Sequence, residues 1–244
     1  MANKSLGQHW LKNREILNEI AMEAGEGELC VEIGPGLGTL TSSLLKRFDK
    51  VLAIEFDKKL AENLPKSFPG KNLEVVNEDF LKFELDKIEQ PYTVAGNIPY
   101  YITSPIIEKV LTAKKQPVRI VLLIQKEVAE RITDEKETVL SLFVKNHADV
   151  RLGLIVKKEE FTPPPKVDSQ VIILEPKEPL VSDEVFKLIK LGFVAPRKKL
   201  IHNLVYLKPK DELEKIFDGL GINKNVRPGD LHIDKWGALY KILY

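Results

Sequence analysis

Leu29-Cys30-Val31-Glu32-Ile33-Gly34-Pro35-Gly36-Leu37-Gly38-Thr39 carries the strongest structural signal in this chain. Leu29 to Ile33 is a short apolar run that reads as a buried strand. Three alternating glycines follow, and then a helical pattern from about Leu40 to Phe48. A glycine turn between a first strand and its helix is where α/β proteins hold a nucleotide-type cofactor. The spacing is not that of a dinucleotide fingerprint. Counted from Gly34, the third glycine position holds Thr39; counted from Gly36, it holds Thr41. Glu32 stands two residues ahead of Gly34. A carboxylate there repels a pyrophosphate but can pair with an ammonium. S-adenosylmethionine carries an amino-acid group and no phosphate, so the chemistry of the loop favours it over NAD.

The chain downstream repeats the strand-helix grammar. Val51 to Glu55 is a second strand, and Glu55 lies 21 residues beyond Gly34. That is about the spacing at which an acid reaches a ribose diol. Leu73 to Val76 is a third strand, ending at Asn77-Glu78-Asp79-Phe80. Asp79 could accept a hydrogen bond from an adenine amine, and Phe80 could pack on the adenine face. Tyr92 to Gly96 is a fourth strand and leads into Asn97-Ile98-Pro99-Tyr100, ahead of a helical pattern over Pro105 to Leu111. An amide, a proline-fixed turn and an aromatic ring suit the gripping of a flat base with an exocyclic amine. A plain strand-to-helix turn fits the same residue types. Arg119 to Ile124 is a fifth strand, followed by a helix over Gln125 to Arg131. Such alternation predicts an α/β fold: a parallel sheet with right-handed crossovers. Upstream of the glycine run, Asn13 is an N-cap candidate for a helix with apolar positions Ile16, Leu17, Ile20 and Ala21, ended by Gly25 and Gly27.

From Asp149 the pattern changes. Val150 to Val156 and Val167 to Leu174 read as two strands joined by residues 157–166, which include Pro163-Pro164-Pro165. With no helix between them they are expected to form an antiparallel pair closing the sheet. Glu175-Pro176-Lys177-Glu178-Pro179 reads as a boundary. The expected division is residues 1–178 as one domain and 179–244 as a small helical one, with Ser182 capping Val185-Phe186-Leu188-Ile189. Further helices are expected over Leu200 to Leu207, Leu213 to Leu220 and Trp236 to Leu243.

Hydrophobic content of 43% with 30% charge is that of a globular chain. The net charge of +1 does not by itself mark a nucleic-acid binder, although Lys114-Lys115, Lys157-Lys158 and Arg197-Lys198-Lys199 are bunched. The single cysteine, Cys30, sits in a strand pattern and suggests neither a disulfide framework nor a metal site, which fits a reducing cytosol. The N-terminus shows no signal-peptide pattern, and no apolar run approaches the ~20 residues of a membrane span. His147, His202 and His232 form no ligand spacing, so no metal is expected.

Taken together, these residues resemble the rRNA adenine N6,N6-dimethyltransferases of the KsgA type, and more distantly the Erm methyltransferases. The resemblance runs from Lys4 to about Leu204. It is carried by Gly7-Gln8-His9-Trp10-Leu11, Val31 to Thr41, Asn97-Ile98-Pro99-Tyr100, Gln125-Lys126-Glu127-Val128-Ala129 and Phe161-Thr162-Pro163-Pro164-Pro165-Lys166-Val167-Asp168-Ser169. It implies a Rossmann-like methyltransferase fold with a seven-stranded, mostly parallel sheet whose last strands are antiparallel, and a helical C-terminal domain that contacts rRNA.

By the resemblance, Gln8, His9 and Leu11 fold over the methionine end of S-adenosylmethionine, and Glu32, Gly34, Gly36 and Gly38 surround it. Glu55 holds the ribose, and Asp79 with Phe80 holds the adenine; Asn97 borders the cofactor. Asn97 and the Ile98 carbonyl would accept the hydrogens of a target adenine N6, with Tyr100 stacking on one face of the base and Phe161 on the other. Lys114, Lys115, Arg197, Lys198 and Lys199 are the candidate RNA phosphate contacts. Pro196 departs from the family pattern of consecutive arginines ahead of that last cluster. The implied activity is dimethylation of two adjacent adenosines near the 3′ end of small-subunit rRNA, by a cytoplasmic monomer acting on immature small ribosomal subunits, with no metal and no membrane. The competing readings are an Erm-like methyltransferase of large-subunit rRNA, a ribosome-assembly factor with dispensable catalysis, and a small-molecule methyltransferase.

Overall fold

The structure, a computed structural model, describes residues 8–244. Lys4 to Gly7, where the resemblance begins, fall outside the described residues. From the start, the elements are β1 (Trp10–Leu11), α1 (Arg14–Ala24), β2 (Gly27–Ile33), α2 (Thr39–Leu44), β3 (Phe48–Glu55), α3 (Lys58–Asn63), β4 (Leu73–Asn77), β5 (Thr93–Asn97), α4 (Thr103–Leu111), β6 (Arg119–Gln125), α5 (Lys126–Thr133) and α6 (Val139–His147). There follow β7 (Ala148–Val156), β8 (Phe161–Thr162), β9 (Ser169–Pro176), α7 (Asp183–Gly192), α8 (Leu200–Leu204), α9 (Lys210–Gly219) and α10 (Ile233–Leu243).

Seven strands form one sheet in the order β4-β3-β2-β5-β6-β9-β7. The pairs β3–β4, β2–β3, β2–β5 and β5–β6 are parallel, and β9 runs antiparallel to β6. The expected fold class is therefore observed. The central strands are apolar almost without interruption because a parallel sheet is covered on both faces. On one face, Leu17, Ile20 and Ala21 of α1 and Leu40 and Leu44 of α2 join Cys30, Val51, Ala95, Val121 and Val171 in a buried cluster. Asn13 caps α1 as its side chain suggested: Oδ1 accepts from the Glu15 and Ile16 amides at 3.0 and 3.4 Å. Gly25 ends the helix at φ 88°, a left-handed conformation that glycine adopts without a side-chain clash.

Two compact units emerge, and their membership differs from the expected division. One comprises Met1–Glu130 and Asp149–Pro176; the other comprises Arg131–Ala148 and Lys177–Tyr244. The late boundary falls beside Lys177, close to the expected residue 178. The segment 131–148 nevertheless belongs with the second unit, for a packing reason. Leu142 of α6 is buried in the same cluster as Ile189, Leu200, Phe217 and Trp236. Sequence reasoning missed α6 altogether, because Val139 to Val144 is nearly all apolar and shows no clear helical stripe. Its local signal was the capping box, in which Thr138 Oγ1 accepts from the Ser141 amide and Ser141 Oγ accepts from the Thr138 amide. Among the described residues, no helix is long and apolar enough to cross a membrane.

Candidate active site

The carboxyl ends of β2, β3, β4 and β5 meet at one edge of the sheet, where open α/β folds place their ligands. A cavity opens there. Gln8, His9, Glu32, Gly34, Gly36, Glu55, Asp79, Phe80, Asn97, Ile98 and Tyr100 all line it. The sequence reading had drawn these residues from five separate segments.

The glycine turn is shaped by two left-handed residues, Gly34 at φ 61° and Gly36 at φ 58°. A Cβ on Gly36 would lie 3.3 Å from the Trp10 indole nitrogen, so the turn is also closed by its neighbour. The Gly36 amide donates to Glu55 Oε2 at 3.0 Å, and the Asp57 amide donates to Glu55 Oε1 at 2.8 Å. These bonds fasten the loop to β3 and fix the carboxylate. Burial raises the pKa of Glu55 above the usual carboxylate range, while the two amides pull it down.

Glu32 is the most unusual group in the site. It is 1% exposed, and its Oε2 has no hydrogen-bond partner in the protein. Burial pushes its carboxyl up to about 8, with Thr41 pulling the other way and Glu55 adding to the rise. A buried carboxylate is strongly unfavourable unless paired. An unpartnered buried oxygen in the wall of an open cavity suits an incoming cation.

Asn97 ends β5. Its Nδ2 donates to the His9 carbonyl at 3.0 Å, which leaves Oδ1, an acceptor, as its remaining polar atom. The preceding Gly96 is obligatory for spacing, since a Cβ there would sit 2.9 Å from the Ile33 carbonyl oxygen. β5 and β2 are thereby held close, and Asn97 lies beside the glycine turn. The Tyr100 hydroxyl is 2.6 Å from Ser169 Oγ on β9, so its ring is anchored at the far end. Burial raises the pKa of that phenol, and Ser169 offsets part of the rise.

The cavity wall that contains Gln8, His9 and Trp10 is stitched to the proline-rich segment. Trp10 pairs with Thr162 and Leu11 with Phe161 in a two-stranded antiparallel ladder, β1–β8. His9 Nδ1 donates to the Pro163 carbonyl at 2.7 Å, and Asn13 Nδ2 donates to Glu160 Oε2 at 3.0 Å. The His9 ring is stacked with Tyr100, centroids 6.2 Å apart. His9 is thus held from two sides. Among the described residues no group of His, Cys, Asp and Glu could hold a metal ion.

A family model described as ribosomal RNA adenine dimethylase matches residues 1–244. The chain belongs to this family. The "Ribosomal RNA small subunit methyltransferase A" of Mycoplasmopsis synoviae is 38% identical over 251 residues, covering 99% of this chain and 97% of the relative. The protein of the same name from Nostoc sp. is 39% identical over 263 residues, with 98% and 97% covered. Among solved structures, a dimethyladenosine transferase from Plasmodium falciparum is 30% identical with a TM-score of 0.80, covering 95% of this chain and 96% of that one. The 23S rRNA methyltransferase ErmE is 27% identical with a TM-score of 0.77, covering 96% and 99%.

The structure places four of the expected sets of site residues away from the cavity wall. Leu11 is 1% exposed and Phe161 is 2% exposed, and neither lines the cavity. The β1–β8 register directs both side chains into the core cluster with Leu17 and Val156. In this structure Phe161 is a core ring. Gly38 also lies outside the cavity wall. Its φ is 78° and a Cβ would come within 2.6 Å of Leu64 Cδ1, so it is required for helix packing. Lys114 and Lys115 precede β6, at the amino-terminal edge of the sheet, opposite the cavity. They do not flank it. Arg197, Lys198 and Lys199 are exposed in the turn before α8 of the second unit. There the buried Asn203 donates its amide to the carbonyls of Gly192 and Ala195, at 2.5 and 3.1 Å, and braces the turn.

Trp10, Phe56 and Tyr101 line the cavity but were not chosen from sequence. Each directly adjoins a residue that was chosen. Phe56 follows Glu55 and is 61% exposed despite its place on the cavity.

Proposed function

We propose that this protein dimethylates the N6 amines of two adjacent adenosines near the 3′ end of small-subunit rRNA, using S-adenosylmethionine, during small-subunit maturation in the cytoplasm. One observation carries the reading: Glu32, whose Oε2 has no partner, and the Asn97-Ile98-Pro99-Tyr100 turn share one cavity. The relatives named for the small subunit, at 38–39% identity, favour that subunit over the large one.

The residues fit the cofactor. Glu32 offers a buried anion to its ammonium, Gly34 and Gly36 let the backbone approach, Glu55 faces its ribose, and Asp79 with Phe80 takes its adenine. When bound, the cofactor supplies a methyl group on a sulfonium, a good leaving group. The protein's task is then positioning. Adenine N6 is a weak nucleophile because its lone pair is delocalised into the ring. Asn97 Oδ1 and the Ile98 carbonyl accept its two hydrogens and favour a more tetrahedral nitrogen. Asn97 cannot turn its amide nitrogen toward the base without losing the bond to the His9 carbonyl. It therefore acts as an acceptor that orients the amine, and the proton leaves after attack. Tyr100 stacks on the base, which is splayed out of its RNA strand to enter. Arg197, Lys198 and Lys199 contact RNA phosphates, and the protein works as a monomer on immature small subunits.

Labelled S-adenosylmethionine offered with immature small subunits, large subunits and free adenosine tests the reading. Label on adenine N6 of small-subunit rRNA alone supports it. Label on large-subunit rRNA or on free adenosine refutes it.

A further inference from the structure

Tyr100 and Tyr101 are consecutive, line the same cavity and are treated in opposite ways. The Tyr100 hydroxyl is tied to Ser169. The Tyr101 hydroxyl has no hydrogen-bond partner among the described residues, and the residue is 66% exposed while still bordering the cavity. Its backbone is nonetheless rigidly placed. Tyr100–Ile102 forms a 3-10 turn, closed by the Ile102 amide donating to the Pro99 carbonyl at 3.2 Å. Thr103 Oγ1 donates to the Tyr100 carbonyl at 3.0 Å and fixes the turn to α4. A large aromatic ring held on a stiff turn, exposed beside a base-sized cavity, is an arrangement used to bind single-stranded nucleic acid by stacking.

We propose that Tyr101 is a stacking platform for the nucleotide that adjoins the adenine in the pocket. The proposal rests on the function given above. An adenosine drawn into the cavity loses its stacking neighbour in the strand, and the neighbour loses its own. Tyr100 takes the first base, and Tyr101 takes the second at the rim. In a substrate of two adjacent adenosines, the platform holds the neighbour on one side of the strand while the adenosine in the pocket reacts. Tyr101 is thereby a specificity residue: it favours a target with a purine beside it, because purines stack over more area.

The test compares wild type with Tyr101→Ala and Tyr101→Phe. The probe is a short single-stranded oligoribonucleotide carrying 2-aminopurine next to the target adenosine, on the 5′ side in one version and the 3′ side in another. Stacking on an aromatic ring quenches its fluorescence. Wild type and Tyr101→Phe are expected to quench one of the two versions. Tyr101→Ala is expected to lose the quench and bind the oligonucleotide roughly 5- to 150-fold more weakly, the equivalent of one base stack. S-adenosylmethionine affinity is expected to stay within about twofold of wild type in both variants. An unchanged quench in Tyr101→Ala, or equal loss in Tyr101→Phe, overturns the proposal. A matching drop in cofactor affinity assigns the ring to the cofactor and also overturns it. The two readings fail separately. If wild type puts no label on small-subunit rRNA, the function is wrong. If it does, and Tyr101→Ala quenches as wild type does, only the platform is wrong.

Discussion

Replacing Glu32 by Gln should make the protein more stable and less able to bind its cofactor. The carboxyl is buried and pushed up to about 8 from an ordinary 4.5. Between those pH values the folded chain holds a proton that the unfolded chain has released. Stability therefore falls as pH rises from about 4.5 to 8, and the whole contribution is gone above that window. A shift of this size corresponds to ~5 kcal/mol at most, a large share of a typical folding free energy. Glu55, also raised by burial, adds a slope of the same sign in both proteins. Urea unfolding at pH 5.5 and pH 8.5, without cofactor, should show the wild type losing stability relative to Glu32→Gln at the higher pH. The cofactor reverses the preference. Its ammonium needs the ionised carboxylate, so binding to wild type near pH 7 should release a proton and tighten from pH 6 to 8. Calorimetry in buffers of different ionisation enthalpy measures that proton. Glu32→Gln should bind roughly 100-fold more weakly or worse, since removing one partner of a buried pair costs about 3 kcal/mol or more. Equal pH dependence of stability in the two proteins, or cofactor affinity unchanged in the variant, would refute the argument.

Other substitutions probe the remaining parts of the site and core. Asn97→Ala should retain cofactor binding and lose methyl transfer; transfer at the normal rate would show that Oδ1 does not orient the amine. Phe161→Ala should lower stability by about 3–5 kcal/mol, as loss of a core ring does, and a denaturation midpoint equal to wild type would return the ring to the cavity. Gly192→Ala would bring a Cβ to 2.3 Å from the Trp236 ring; overpacking of this kind costs about 1–3 kcal/mol, readable in tryptophan fluorescence during unfolding. Changing Arg197, Lys198 and Lys199 to Gln should weaken RNA binding and flatten its salt dependence, checked by titration at several salt concentrations.

What was legible in the sequence and what was not follow a physical division. Glu32, Glu55, Asp79 and Asn97 stand at or beside strand ends. Parallel strands align their carboxyl ends, so a strand pattern and a spacing suffice to bring those residues together. The orientation of Phe161 depends on a register with Leu11, a partner far away in sequence. No local pattern reports that pairing. Gly38 looked like its neighbours Gly34 and Gly36, yet its reason is the approach of Leu64 and Phe68, again a tertiary fact. Lys114 and Lys115 read as a basic pair, but the end of the sheet on which they lie is fixed by topology. The helix α6 and its place in the second unit were hidden because an apolar run carries no period.

The β1–β8 ladder sets an order for events at the ribosome that makes this chain. His9 and Pro163 are 154 residues apart. The wall formed by Gln8, His9 and Trp10 can be fastened only after the proline-rich segment has been synthesised and has left the exit tunnel. At ~5–20 residues per second, that wait lasts roughly 10 to 30 seconds. Until then a nascent chain can hold the glycine turn and its acids, but His9 has no Pro163 carbonyl to meet and Tyr100 has no Ser169. Residues made early are thus among the last to settle, and the pocket closes only when the sheet is nearly complete.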